Sequence, residues 1–86
     1  MASIAMEPDE VAFSDVQFLT GSPQRFAVLS ALCETPARPS ELRDQVDATR
    51  TTIQRILAGF QDRSWVYKRD GRYRPSITGR RVFEQY

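Results

Sequence analysis

Three residues, Asp47, Ala48 and Thr49, are all that separate two stretches of helical periodicity, and this short connection limits the chain more than any other feature. After the connection, apolar residues recur at Ile53, Ile56, Leu57 and Phe60, an i, i+3, i+4, i+7 spacing that predicts an amphipathic helix over residues 49–63 with one buried stripe. Before it, Arg38-Pro39-Ser40-Glu41-Leu42 places a proline at a first helical position with a glutamate two residues on, and Leu42 and Val46 stand one turn apart. A connection of three or four residues between two short amphipathic helices is the helix-turn-helix arrangement. Downstream, Asp70-Gly71 sits between Ser64-Trp65-Val66-Tyr67-Lys68-Arg69 and Arg72-Tyr73-Arg74-Pro75, a strong signal for a two-residue hairpin over residues 65–75. Tyr67 and Tyr73 flank the Asp-Gly pair and are expected to face each other across the strands.

The side of the second helix opposite its apolar stripe carries Thr51, Gln54 and Arg55, with Arg50 at the N-terminal rim and the small Ala58 further along, and no acid interrupts it before Asp62. A solvated helix usually mixes both charge signs. A helix lying in the major groove of DNA needs donors for base edges and phosphates and must keep carboxylates away. Arg50, Thr51, Gln54 and Arg55 are therefore candidate base-reading residues, and Ser40, Thr49 and Thr52 candidate phosphate contacts; Thr49 also suits the N-cap, its hydroxyl accepting from the amide of Thr52. The plainer alternative is an amphipathic core helix with a polar outside. Lys68, Arg69, Arg72 and Arg74 put four cations into the hairpin, where like charges facing one another are unfavourable without an anionic partner; a solvated charged edge that discourages aggregation is the competing explanation.

These segments together resemble the winged helix-turn-helix superfamily of transcriptional regulators, and more closely the archaeal regulators with an ArsR- or MarR-like N-terminal reading domain. The resemblance is carried by Ser22-Pro23-Gln24-Arg25, Ser40-Glu41-Leu42, Thr49-Arg50-Thr51-Thr52-Ile53-Gln54-Arg55, Arg63-Ser64-Trp65-Val66 and Thr78-Gly79-Arg80-Arg81, and it covers residues 18–86. It implies a mainly α fold with a small β-hairpin wing, double-stranded DNA as partner, and a transcriptional regulator as the function. It departs from the family at Ser64, where glycine usually follows the recognition helix, and in its short wing. In related regulators the last helix dimerises or leads into an effector domain, so the resemblance implies a homodimer through the terminal helices, or a C-terminal effector domain outside this chain.

Charge is segregated along the chain. Residues 1–37 hold Arg25 against five acids, whereas residues 38–86 hold eleven bases against six acids. The basic half contains the reading helix and wing, and the acidic half is expected to point away from phosphates. Of the twelve bases all but Lys68 are arginine, which forks onto guanine or phosphate, though an arginine bias also follows from a GC-rich genome.

At 86 residues the chain holds one core, with residues 8–86 expected to form the domain and residues 1–7 expected to be disordered. Residues 8–19 read as an N-terminal helix with Val11, Val16, Phe18 and Leu19; residues 23–34 as a scaffold helix offering Phe26, Leu29, Leu32 and Cys33 to the core; and Ser76 or Thr78 as the cap of a last helix through Val82 and Phe83. No run approaches a membrane span and the start lacks the basic residues of a secretory signal, which together point to a cytoplasmic protein. With no histidine and a single cysteine, Cys33, no metal site or cofactor is expected, and neither a nucleophile–base pair nor a glycine-rich phosphate loop supports an enzyme. The rival function is a winged-helix protein-interaction module of the transcription machinery without base reading; structured RNA is a third, less suited to a helix because its major groove is narrow.

Overall fold

The computed structural model describes residues 13–85, so the expectations for residues 1–7 and for a helix start at residue 8 lie outside the described residues. Five helices and one hairpin follow in order: α1 (Phe13–Thr20), α2 (Pro23–Glu34), α3 (Pro39–Gln45), α4 (Arg50–Asp62), β1 (Val66–Arg69), β2 (Arg72–Pro75) and α5 (Ile77–Glu84). This is a mainly α, α+β architecture in a winged-helix-like arrangement, as the sequence predicts.

Local chemistry sets most of the boundaries. Ser22, Thr49 and Ser76 each occupy an N-cap in extended backbone and accept from the amide three residues on, those of Arg25, Thr52 and Gly79. Helix α3 starts differently: Pro39 fills its first position and the Glu41 carboxylate reaches back to accept from the Arg38 amide at 2.8 Å. The C-terminus of α4 closes in a Schellman motif. The Trp65 amide donates to the Phe60 carbonyl at 2.8 Å and the Ser64 amide to that of Gln61 at 2.9 Å, while the Phe60 and Trp65 rings pack with centroids 5.3 Å apart. Ser64 takes the left-handed position, at φ 62°, that glycine usually fills.

Asp70 and Gly71 also have positive φ, 54° and 80°, which is the type I′ geometry whose twist matches the flanking strands. With only these two residues in the loop, Arg69 pairs with Arg72, Lys68 with Tyr73, Tyr67 with Arg74 and Val66 with Pro75. The expected Tyr67–Tyr73 pair is therefore corrected: the two tyrosines lie at unequal distances from the loop, and so on opposite faces of the hairpin. Ala37 adds a bridge to β2, exchanging two backbone hydrogen bonds with Tyr73 at 3.2 and 2.8 Å, and this ties the hairpin to the start of α3.

The core sits where α2, α4, the hairpin and α5 meet. Ile53, Leu57 and Phe60 of α4 are buried with Leu29 and Leu32 of α2, Leu42, Trp65 and Val82, while Ile56, Phe26 and Cys33 pack at its margin. Each fully buried aliphatic or aromatic side chain contributes about 1.5–3 kcal/mol relative to its exposed state. Val28, absent from the sequence-based core of α2, is fully buried because helix α2 is enclosed on more than one side, by α1, α3, α5 and the hairpin. Helix α1 docks through Leu19 and Phe18; the Phe18 ring lies between the guanidinium groups of Arg25 and Arg63, 4.0 and 3.8 Å from its centroid. Among the described residues no helix is long and apolar enough to cross a membrane.

Candidate functional site

Helix α4 turns Arg50, Thr51, Gln54, Arg55 and Ala58 to solvent while its apolar stripe is buried. All four sequence-predicted reading residues are thus on one accessible face, but they do not face one way. At 100° per residue Thr51, Arg55 and Ala58 form the outer ridge, opposite the buried stripe, and Arg50 and Gln54 lie to one side of it. Two grooves flank the ridge.

The first groove, about 420 Å³, runs between α3, α4 and the hairpin and is lined by Arg38, Ser40, Arg43, Arg50, Gln54 and Lys68 together with Pro39 and Gly71. It contains four cations from α4, β1, α3 and the residue capping α3, with no carboxylate in the lining. None of these cations makes an ion pair with another described residue; the ion pair between described residues is that of Arg63 with Asp15, at 3.1 Å. The second groove, about 350 Å³, lies on the α1–α2 side of the ridge, where Arg55 and Thr52 meet Ser22, Gln24 and Arg25 beside Phe18 and Ile56. Gln24 is held there by donating its side-chain amide to the Asp47 carbonyl at 3.0 Å, which also ties the turn between α3 and α4 to α2.

The candidate phosphate contacts fall in different settings. Ser40 is exposed in the first groove. The Thr49 hydroxyl accepts from the Thr52 amide at 3.1 Å and donates to the Thr52 hydroxyl at 3.0 Å, so both threonines are engaged in capping α4. Thr52, half-buried, lines the second groove.

The wing cations do not act as one set, because strand alternation divides them. Lys68 shares a hairpin face with Tyr73, its ammonium 5.7 Å from the ring centroid, and enters the first groove. Arg69, Arg72 and Arg74 share the opposite face with Tyr67, itself 45% exposed. Arg69 and Arg72 are direct partners, an unfavourable pairing for two like charges. Arg74 is half-buried, and its Nε has no hydrogen-bond partner among the described residues.

Arg38 and Arg43 were not among the sequence-predicted site residues, nor were Gln24 and Arg25. Helical spacing offered a partial signal for Arg43, which stands four residues after Pro39 and three after Ser40 and so shares one flank of α3 with them. Arg38 had none, since its place beside Gly71 depends on the Ala37–Tyr73 bridge.

Comparison with known families adds one result. The family described as HVO_A0261 N-terminal domain matches residues 13–86. The chain belongs to that family. As an HVO_A0261 N-terminal domain it acquires a family but no activity, since the description names a domain alone. No curated protein matches the chain significantly, and no solved structure does.

Among the described residues of this HVO_A0261 N-terminal domain, no three or more His, Cys, Asp or Glu side chains cluster as a metal site would require. Cys33 lies half-buried beside Ser30, Phe83, Arg80 and Glu84, between α2 and α5. Burial pushes its thiol pKa up, Arg80 opposes the rise and Glu84 adds to it.

Proposed function

We propose that this domain is a sequence-specific double-stranded DNA-binding module of a transcriptional regulator, of the winged helix-turn-helix kind that the sequence resembles. The observation that carries the reading is the solvent face of α4, where Arg50, Thr51, Gln54 and Arg55 stand with no carboxylate before Asp62 at the end of the helix and are flanked on both sides by cation-lined grooves. A B-DNA major groove, about 12 Å wide, admits one α-helix and presents phosphate rows on both of its walls. Base edges would then meet the donors of α4, with arginine suited to guanine and glutamine to adenine. The facing Arg69 and Arg72 support the same partner, since a polyanion turns their repulsion into attraction. A homodimer through α1 and α5 belongs to this reading, and it would give the DNA site inverted symmetry.

Selection from a randomised duplex pool at two salt concentrations tests the reading. An enriched motif is expected, and it should be lost on Arg55→Ala. Binding without enrichment would reduce the role to nonspecific DNA association, and no binding even at low salt would leave the protein-interaction module as the better reading.

A further inference from the structure

Arg38 and Arg43 belong to neither α4 nor the hairpin, yet they share the first groove with Arg50 and Lys68. Four like-charged residues lining one open channel disfavour each other, and Arg38 is set there by the backbone: the Ala37–Tyr73 bridge places it beside the hairpin loop, and its Nε comes within 3.9 Å of a Cβ position on Gly71. Glu41, the acid nearest to Arg38 in the α3 sequence, is turned back onto the Arg38 amide. The channel is polar as well as cationic, with Ser40 and Gln54 in its wall.

Resting on the DNA reading above, we infer that this groove seats the sugar-phosphate backbone of one DNA strand, with Arg38, Arg43, Arg50 and Lys68 as its phosphate contacts. Arg50 is then a backbone residue, unlike Thr51 and Arg55, and sequence discrimination falls to the outer ridge with Gln54 at its border. One observation favours a polyanionic strand over a single anion: the cations come from separate elements lining an open channel, whereas a lone phosphate is usually enclosed by a compact cluster, and a DNA strand presents a row of charges rather than one.

The test is the salt dependence of binding of the whole chain to a fluorescein-labelled duplex bearing the selected motif and to a scrambled duplex of equal length. For the Arg38→Gln/Arg43→Gln double variant, the slope of log affinity against log salt should fall by about two units, with equal loss on both duplexes and the motif preference retained. For Arg50→Gln the slope should fall by about one unit, again with preference retained. Arg38, Arg43 and Arg50 are exposed, and matching melting temperatures establish that the fold is intact. An unchanged slope with the preference intact overturns the groove assignment and leaves the DNA reading standing. Loss of preference also overturns it, because the altered residues would then be base readers. Inorganic phosphate that competes better than chloride at equal ionic strength overturns the strand in favour of a small-anion site. Failure of the unaltered chain to bind DNA at low salt removes both readings.

Discussion

A Cβ placed on Gly79 would fall on the carbonyl oxygen of Trp65 and within 3.0 Å of its carbonyl carbon. The close approach seats the first turn of α5 on the exit from α4. There the Ser76 amide donates to the Trp65 carbonyl at 2.7 Å, and the Ser76 hydroxyl donates to the Ser64 carbonyl at 2.6 Å while accepting from the Gly79 amide at 3.0 Å. Trp65 cannot withdraw, since its own amide closes the Schellman motif and its ring is fully buried. Gly79→Ala should therefore destabilise the domain by about 2–3 kcal/mol, read as a melting temperature lower by roughly ten degrees or more. An unchanged melting temperature would mean that α5 is not seated as described.

Ser64 offers the opposite case. Its left-handed φ of 62° carries a steric cost that glycine avoids, offset in part by the greater freedom of glycine in the unfolded chain. Ser64→Gly should stabilise by about 0.5–1 kcal/mol in denaturant unfolding, and a destabilised variant would contradict the strain. The hydrogen bond from Ser76 is retained, because it uses the Ser64 backbone carbonyl.

Leu57, 1% exposed, fills the centre of the α4 stripe. Leu57→Ala should cost about 2–5 kcal/mol through lost burial and the cavity left behind, measured by urea unfolding. Arg55 on the far side should change stability little, which separates the helix's packing face from its candidate reading face.

On DNA, Arg55→Ala should lower affinity for the selected motif by about 1–3 kcal/mol while leaving the scrambled duplex nearly unaffected. Arg72→Ala on the hairpin should weaken both duplexes alike and reduce the salt slope by roughly one unit. Equal losses on both duplexes in the Arg55 variant would contradict base reading.

The Cys33 thiol should alkylate more slowly in the folded chain than in denaturant at neutral pH, because burial disfavours the reactive thiolate. With the folded pKa raised, the folded chain keeps a proton that the unfolded chain releases, so this thiol's contribution is intact below the unfolded pKa and is lost as pH rises toward the folded one. Iodoacetamide rates with and without denaturant measure the effect, and faster reaction in the folded state would contradict it.

Much of the fold was legible because its signals are local in the chain. Thr49 and Ser76 cap the helices that follow them, Asp70-Gly71 forms the hairpin loop, and the spacing of Ile53, Leu57 and Phe60 marks the buried side of α4, all through interactions within a turn or two. The same locality exposed Arg50, Thr51, Gln54 and Arg55 as one polar helix face.

Tertiary structure decided which of those residues are neighbours. The hairpin register separated Lys68 from Arg69, Arg72 and Arg74, and put Tyr67 and Tyr73 on opposite faces. The Ala37–Tyr73 bridge and the packing of α3 on α4 brought Arg38 and Arg43 to Arg50 and Lys68, so that cations spread from residue 38 to residue 68 line one channel. Periodicity reports the side of an element on which a residue lies; it carries no term for the element packed against that side, and the grooves beside α4 exist only through that packing.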